Sequence, residues 1–465
     1  MKALFVNAIN PHNDFDTHYP ALGLAYIATY LRNVIPGIEV KILNSDEESA
    51  MKAFAPDIVG ISAVTQNMYW AIRSAEFLKR ECPGVVTVLG GPHQTALPDV
   101  LNDPFDYGSI GEGEDCMLDI VQALMKGKAG FNEAMTKIPG VVYRQDGKIL
   151  HNHERKAVRE LDYLGIPDRD LIGEGKSMRL HMITSRGCPY RCIFCASAFN
   201  VRTARYASPG LVIQEIKHLV ERYGVKEIKI YDDLFTANRL RLKEIADRMD
   251  AEGLNKQVFI ECTNRANLTT KDLLEDCKKL GVRALAFGFE SGSQKVLELL
   301  KTDSVDVAQN RASIKMCRDM GIEVRGSFII GTPGETVPDL AETYKFVDEN
   351  KLDGVKIYVL TPLPGTPVWI EAEKAGKVSR NMDWKTLHFI DFANTWREHI
   401  ILNEHMTREE IYHWYMKFQK LAKRRELEQM LGKASLQSVV NRIRHPSKLL
   451  NDAKIIGQKV GVLIS

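Results

Sequence analysis

Ser185-Arg-Gly-Cys188-Pro-Tyr-Arg-Cys192-Ile-Phe194-Cys195 is the stretch that decides how this chain is interpreted. Its three cysteines are separated by three and then by two residues. Thiolates at this spacing on one tight loop can hold three irons of a [4Fe-4S] cube and leave the fourth iron without a protein ligand. An iron with an open coordination position is a reaction site, so the stretch predicts a reactive iron-sulfur centre with Cys188, Cys192 and Cys195 as its metal ligands.

Other interpretations of the three thiols remain open at this point. A zinc knuckle needs a fourth nearby Cys or His, an electron-transfer ferredoxin needs four cysteines, and buried thiols need no common role. The other cysteines are scattered, with no pair two to four residues apart, and we expect them to be single buried thiols: Cys82, Cys116, Cys262, Cys277 and Cys317.

Composition describes an ordinary soluble globular protein of two or three domains, since 45% of the 465 residues are hydrophobic and 26% are charged. The formal net charge of +2 argues against a nucleic-acid partner. No run approaches eighteen apolar residues, and the N-terminus enters a strand without a signal-like segment, so we expect no membrane span. The clustered cysteines fit a reducing compartment, and we expect a cytoplasmic location.

The order of apolar segments predicts an α/β chain with two βα series. Residues 1–135 alternate short strands and amphipathic helices, which indicates a Rossmann-like, doubly wound parallel sheet. Residues 136–178 are interpreted as a linker with one small hairpin around Asp146-Gly147, residues 179–395 as a partial (β/α)6 barrel, and residues 396–465 as a helical C-terminal segment. The strands predicted for the barrel are His181–Ser185, Glu227–Tyr231, Val258–Thr263, Ala284–Phe289, Glu323–Ile330 and Val355–Leu360.

The cysteine stretch resembles the cluster loop of the radical S-adenosylmethionine (SAM) superfamily, in which an aromatic residue, here Phe194, precedes the last cysteine. The resemblance implies a [4Fe-4S] cluster whose open iron chelates SAM. It also implies that SAM is held at the carboxyl ends of the barrel strands, where βα loops converge.

Later segments resemble this family's SAM-binding motifs. Asp232 or Asp233 follows the second barrel strand and is expected to accept hydrogen bonds from the SAM ammonium. Arg265 is a candidate partner for the SAM carboxylate. Glu290 and Ser291 end the fourth strand, where the family places ribose-binding groups, and Gly331 belongs to a segment that flanks adenine. Each motif also has a structural interpretation, as a helix cap, a strand end or a turn.

The N-terminal series resembles the cobalamin-binding domain that is fused to some radical SAM enzymes. The resemblance rests on Gly60-Ile-Ser62, Gly90-Gly91-Pro92-His93, Pro20-Ala-Leu-Gly23 and Gly111-Glu-Gly113-Glu114, and it implies that Ser62, Gly90 and Gly91 approach cobalamin. Glycine pairs after strands also serve flavins, nucleotides and plain turns, so a differently occupied domain is the alternative. The run Asp16-Thr-His18-Tyr-Pro-Ala21 nearly matches an axial-histidine loop, but Ala replaces its final glycine, and we expect His18 to be an ordinary loop residue.

Together these resemblances imply a cobalamin-dependent radical SAM enzyme, most simply a methyltransferase that uses a 5′-deoxyadenosyl radical to functionalise an unactivated carbon. The alternatives are a radical cyclase or rearrangement enzyme on a lipid or tetrapyrrole, and a cobalamin-binding sensor without catalysis. The expected partners are a small-molecule or lipid-like substrate and an electron donor such as flavodoxin or ferredoxin. The basic and aromatic C-terminal segment, which includes Trp414, Lys417 and Phe418, is interpreted as a helical cap, with peripheral contact to anionic lipid as the alternative.

Overall fold

A computed structural model describes residues 1–12, 19–155, 160–173, 180–201, 203–302, 305–387 and 392–432. Backbone contacts divide the chain into two compact units. The first comprises residues 1–263, 279–281 and 361–390, and the second comprises residues 264–278, 282–360 and the C-terminal segment after 390.

The strands alternate with helices along most of the chain. The strands are β1 (Lys2–Asn7), β2 (Glu39–Asn44), β3 (Ile58–Ser62), β4 (Val86–Gly90), β5 (Tyr107–Ser109), β6 (Val141–Gln145), β7 (Lys148–His151), β8 (His181–Met182), β9 (Ser185–Arg186), β10 (Arg205–Tyr206), β11 (Glu227–Ile230), β12 (Phe259–Asn264), β13 (Val282–Glu290), β14 (Glu323–Ile330) and β15 (Gly354–Val359). The helices are α1 (Leu22–Val34), α2 (Glu48–Phe54), α3 (Met68–Glu81), α4 (Pro92–Ala96), α5 (Gly113–Met125), α6 (Phe131–Met135), α7 (Ala196–Asn200), α8 (Pro209–Tyr223), α9 (Arg239–Ala251), α10 (Lys271–Leu280), α11 (Gln294–Lys301), α12 (Val307–Asp319), α13 (Val337–Asn350), α14 (Pro367–Lys374), α15 (Phe392–Thr395) and α16 (Arg408–Gly432).

The first unit contains a seven-stranded sheet in the order β2-β1-β3-β4-β5-β6-β7. Its first five strands are parallel, and β6 and β7 add an antiparallel hairpin at one edge. The hairpin turns at Asp146 and Gly147, where the sequence predicts it. Successive strands are added on one side of β1 up to β2 and on its other side from β3 onward, and in such sheets ligands bind outside the carboxyl ends of the strands at this point of reversed strand order.

Apolar side chains explain why this sheet forms. Residues Ala3 to Val6 of β1 are at most 1% exposed, and Ala25, Ala28 and Leu31 of α1 are fully buried. The three α1 positions recur every three residues, so one face of the helix packs on the sheet. Phe5, Ile120 and Val121 complete the same core.

The first unit also contains the parallel run β8, β11 and β12, and the separate antiparallel pair of β9 with β10. The sequence predicts one strand over His181–Ser185, whereas the structure has β8 and β9 with a break at residues 183–184. The break has a local cause. The backbone N–H groups of Thr184 and Ser185 donate to the carboxylate of Asp232 instead of to a neighbouring strand.

The second unit contains the parallel run β13, β14 and β15. Helix α16 packs on β15 and α13 of this unit. Its Ile411 and Phe418 are fully buried, and the Phe418 ring lies 5.4 Å from that of Tyr344. The aromatic residues predicted to cap or to meet lipid therefore pack largely inward, and the basic positions after 432 lie outside the described residues. No helix in the described part of the chain is long and apolar enough to cross a bilayer.

Candidate functional site

A cavity of about 560 Å³ opens in the first unit at the carboxyl ends of β3, β4 and β5. The three residues predicted to approach cobalamin, Ser62, Gly90 and Gly91, all line it. Its deep wall is apolar and includes Phe5 and Met117. The structure therefore brings these three predicted residues together at one place.

At two positions of this cavity, Gly91 and Gly23, the lack of a side chain has different physical consequences. Gly91 has a φ of +91°, and a Cβ there would lie 2.8 Å from the Oγ of Ser62, so the turn itself excludes a side chain. Gly23 lies in the first turn of α1, and no described atom comes within 4 Å of a Cβ built on it. A side chain at Gly23 would project into the cavity without displacing a described atom, so the space there is available to a ligand.

The cysteine loop borders the same cavity. Gly187, Ala196 and Ser197 flank the cysteines and line it, as do Arg186 and Val201. One cavity in the first unit is therefore shared by the strand ends predicted for cobalamin and by the loop predicted for the cluster.

The three cysteines lie on a compact turn and form no disulfide in the described part of the chain. The N–H of Cys195 donates to the carbonyl of Cys192 at 3.1 Å, and α7 begins directly after Cys195. Burial raises the pKa of the Cys195 thiol to about 11, and Asp233, Cys192 and Cys188 act in the same direction. Phe194 is half-buried on this turn. Within the described ranges, no group of three or more His, Cys, Asp or Glu side chains is already arranged to hold a metal ion, so ligation by these cysteines stays a prediction.

Asp232 and Asp233 differ in what they contact. The Oδ1 of Asp232 accepts from the N–H groups of Thr184 and Ser185 at 2.6 and 3.0 Å, and its Oδ2 accepts from the Thr184 hydroxyl at 2.6 Å. Burial raises the pKa of the Asp232 carboxyl, although these donors favour its ionised form. Asp233 is exposed, lines the cavity, and accepts from the Gly187 N–H at 3.1 Å. Asp233 is thus the better placed of the two for a ligand.

Three rings that the sequence analysis did not assign lie beside these aspartates. Tyr231 lines the cavity, its ring stacks on that of His181 at 4.5 Å, and the ring of Tyr19 lies 5.4 Å from it. Burial raises the pKa of Tyr231 well above its ordinary value. A protonated phenol therefore borders the cavity. The position of Tyr231 directly before Asp232-Asp233 in the sequence could have indicated that it belongs to the site.

In the second unit, Glu290 carries an unusual backbone. Its φ is +64°, which costs a non-glycine residue roughly 1–2 kcal/mol. Its carboxylate is buried, and the Nζ of Lys301 lies 3.7 Å from Oε1. Burial raises the pKa of Glu290, while Lys301 and Arg265 act in the opposite direction. Glu290 and Arg265 are therefore within electrostatic range of each other, and Lys301 is a cationic partner that sequence reasoning missed.

Ser291 and Gly331 both take part in internal contacts of the second unit. The Oγ of Ser291 lies 3.0 Å from the hydroxyl of Thr343 and accepts from the Ser293 N–H. The N–H of Gly331 donates to Oε2 of Glu335 at 2.6 Å, and burial raises the pKa of Glu335 to about 8. These contacts match the structural interpretation of both motifs, and their predicted roles toward SAM remain predictions.

Comparison with known proteins identifies the chain. A model of the radical SAM superfamily matches residues 182–347, and a model of the B12 binding domain matches residues 13–121. An uncharacterized methyltransferase of Pyrococcus horikoshii is 33% identical over 387 residues, which cover 80% of this chain and 82% of that protein. The chain belongs to the radical SAM superfamily and carries a B12-binding domain.

Two further relatives of this radical SAM protein are informative. An anaerobic magnesium-protoporphyrin IX monomethyl ester cyclase of Rubrivivax gelatinosus is 28% identical over 392 residues, covering 80% of this chain and 70% of that enzyme. A structure of the radical SAM methyltransferase TsrM from Kitasatospora setae, with tryptophan and a SAM analogue bound, has a TM-score of 0.68 and 17% identity, and covers 82% of this chain and 79% of that one. The likeness to TsrM shows the fold.

These findings confirm the predicted family, the α/β fold class and the interpretation as an enzyme. The set of [4Fe-4S] cluster, SAM and cobalamin is confirmed at the level of the family. Domain boundaries and individual site residues stay predictions. Asp16 and His18, of the near match to an axial-histidine loop, lie outside the described residues.

Proposed function

We propose that this radical SAM protein is a cobalamin-dependent methyltransferase that acts on an unactivated carbon of a small or lipid-like molecule. One observation carries the proposal: the first unit has a single cavity lined both by the strand ends of its B12-binding domain and by the cysteine loop. When bound, the cluster and SAM supply a carbon-centred radical, and cobalamin supplies the methyl group.

The residues present fit these groups. Cys188, Cys192 and Cys195 supply three thiol donors, which is the number that leaves one iron of a cube open. Gly23 leaves space in the cavity wall that a side chain would fill. The cavity is lined by Gly23 and by Gly187, Ala196 and Ser197 next to the cysteines, so its contents are held in one small volume, as placement of reacting groups requires.

The chain itself contributes binding, orientation and shielding from water. Ser62, Gly90 and Gly91 are proposed to approach cobalamin, and Asp233 to accept hydrogen bonds from the SAM ammonium. The apolar wall that includes Phe5 and Met117 lowers the local polarity. Arg265 is proposed to bind the carboxylate of SAM, and Glu290 is proposed to bind its ribose. The Glu290 carboxylate also forms an ion pair with Lys301.

A second candidate is a radical cyclase or rearrangement enzyme. The observation that favours it is the cyclase of Rubrivivax gelatinosus, which matches over 80% of this chain. The two candidates place the same demands on the described cavity and differ in whether the methyl group of SAM enters the product.

The test uses anaerobically purified, cluster-loaded protein with hydroxocobalamin, dithionite, a small-molecule extract and SAM that carries a deuterated methyl group. A methyltransferase gives a product whose mass contains the deuterated methyl group. A product without that label supports the cyclase, and release of 5′-deoxyadenosine without any new product leaves both candidates unsupported.

Cys192→Ala tests the cluster assignment in the same assay. We expect formation of 5′-deoxyadenosine to fall to background, because two thiolates cannot retain the cube. Cys82→Ala is the matched control, since Cys82 is a half-buried thiol outside the loop, and we expect it to retain activity. An active Cys192→Ala protein with an unchanged iron spectrum would show that the cluster is held elsewhere.

Three finer points belong to the same proposal. We propose a cytoplasmic location, an electron donor of the flavodoxin or ferredoxin class, and a substrate that enters from the side of the cavity where Tyr231 is exposed. Reduction by purified flavodoxin in place of dithionite tests the second of these, because a donor of that class must sustain release of 5′-deoxyadenosine.

A further inference from the structure

The base of the cysteine loop is a two-stranded clamp within the first unit. Strand β9 precedes the loop and β10 follows it, and they pair with Arg186 opposite Arg205. Residues 187–204 therefore leave and return at one point, and the positions of two arginines fix that point. Gly187 alone separates Arg186 from the first cysteine.

Both arginines bind the same short segment of the B12-binding domain. Arg186 donates from Nη2 to Oε1 of Glu114 at 2.6 Å and from Nη1 to Oε2 at 3.3 Å, and its Nη1 lies 3.2 Å from Oε1 of Glu112. Arg205 donates to both oxygens of Glu112. The network has two positive and two negative charges, so it is neutral as a unit.

This network is largely shielded from water. The Glu114 side chain is 3% exposed and that of Arg205 is 4% exposed, so water competes weakly for these bonds. The Arg186 guanidinium also lies over the ring of Tyr26, 5.5 Å from its centroid. The fork of an arginine fixes direction as well as distance, because two parallel bonds to one carboxylate allow a single orientation.

The same segment forms part of the cavity wall. Gly111, Glu112, Gly113 and Glu114 all line the cavity, as does Arg186. A Cβ at Gly113 would lie 2.7 Å from Cδ1 of Ile27 on α1, so the segment is closely packed against the first helix. A molecule that fills the cavity contacts the segment that holds the base of the cysteine loop.

We propose that Glu112 and Glu114 are positioning residues that couple occupancy of the cavity to the geometry of the cysteine loop. This inference rests on the proposed function, because it takes cobalamin as the occupant and the cluster as the group on the loop. Coupling between two sites is reciprocal, so if the cluster tightens cobalamin binding, cobalamin tightens cluster binding by the same factor. The two carboxylates act through Arg186 and Arg205.

The test measures cobalamin affinity by absorbance in full-length protein, with the cluster loaded and without it. In the wild-type protein we expect the cluster to tighten cobalamin binding by at least about fivefold, the lower end of typical coupling between sites. In Glu114→Gln we expect the cluster and cobalamin still to bind. The ratio of cobalamin affinity with the cluster to that without it should fall to about one. Arg186→Lys keeps the charge and loses the paired bonds, and we expect an intermediate ratio.

Glu215→Gln is the matched control. Glu215 is a buried carboxylate that pairs with Arg169 in the same unit and does not line the cavity, so this variant loses a similar charge from an ion pair other than those of Arg186 and Arg205. We expect its ratio to equal that of the wild-type protein. If Glu114→Gln does not fold, Glu112→Gln is measured instead, since its side chain is 22% exposed and it also binds both arginines.

A spectroscopic readout separates positioning from loss of structure. With dithionite in excess, which reduces the added hydroxocobalamin and keeps the cluster reduced, addition of the cobalamin to the cluster-loaded wild-type protein is expected to shift the electron paramagnetic resonance signal of the cluster, and Glu114→Gln is expected to abolish that shift while retaining the signal. A wild-type ratio of one, or a ratio unchanged in both glutamine variants, would overturn the coupling. If the wild-type protein binds neither group, the proposed function itself fails.

Discussion

The strand ends of the seven-stranded sheet and those of the second unit carry similar motifs but use them differently. Ser62 and Gly90 open onto a cavity, and the nearest described atom to a Cβ on Gly90 is 4.0 Å away. In the second unit, Ser291 is bound to Thr343, and Gly331 donates to Glu335 within its own turn. A polar or glycine residue at a strand end therefore identifies a ligand site only when space is left beside it.

The largest expected effect comes from filling that space. Gly23→Leu should weaken cobalamin binding at least about tenfold, or about 1.4 kcal/mol, because the side chain occupies the cavity. The fold should persist, since leucine is a better helix former than glycine. Absorbance titration with hydroxocobalamin and the thermal midpoint check both statements.

Gly210→Leu is the matched control for this variant. Gly210 occupies the same position in the first turn of α8 and does not line the cavity, and a Cβ there would be 3.5 Å from the end of the Arg248 side chain. If Gly23→Leu binds cobalamin as the wild-type protein does, the cavity is not the cobalamin site.

Asp232 and Asp233 provide the same contrast between a side chain held by internal hydrogen bonds and one that faces the cavity. Asp232→Asn should lower the free energy of unfolding by about 1–3 kcal/mol, because its carboxylate accepts three hydrogen bonds in a buried place. Asp233→Asn should change stability by less than about 0.5 kcal/mol, because Asp233 is exposed, and should instead weaken SAM binding.

Urea unfolding and SAM titration of the two variants decide between these roles. If Asp232→Asn leaves stability unchanged and abolishes SAM binding, the structural role of Asp232 is wrong. If neither variant affects SAM, the ammonium is held by other residues.

An effect on stability that depends on pH concerns His93, which follows the two cavity glycines but is buried away from them. Its Nδ1 lies 3.2 Å from the Thr65 hydroxyl, its ring packs on Trp384 at 4.8 Å, and burial lowers its pKa to about 3. Because the ordinary pKa is near 6.5, the unfolded chain takes up a proton first as the pH falls. The stability contributed by neutral His93 is complete above about pH 6.5 and is lost as the pH falls from there toward 3.

The measurement compares the wild-type protein with His93→Gln. Between pH 7.5 and pH 5, the wild-type protein should lose about 2 kcal/mol of unfolding free energy relative to the variant. His151→Gln, at an exposed histidine, is the control for the substitution itself. A constant difference between wild type and His93→Gln would mean that His93 is accessible to protons in the folded state.

The sequence alone predicted most of the regular elements. The strand predicted over Glu323–Ile330 matches β14, and the strand predicted over Val258–Thr263 differs from β12 by a shift of one residue. Periodic apolar patterns are strong where strands are buried on both faces. The short strands β5 and β10 were not predicted, because two or three residues are too few to show a period.

The sequence by itself determined the family and its cofactors, because the spacing of the three cysteines is a local property, and the motifs follow it in the order that the family uses. Tertiary structure decided which motif residues face open space and which are consumed by internal hydrogen bonds. It separated Asp232 from Asp233, and it joined Glu112 and Glu114 to Arg186 and Arg205. Arg186 and Glu114 are 72 residues apart along the chain, and Arg205 and Glu112 are 93 residues apart. Only the folded backbone brings these pairs within hydrogen-bond distance.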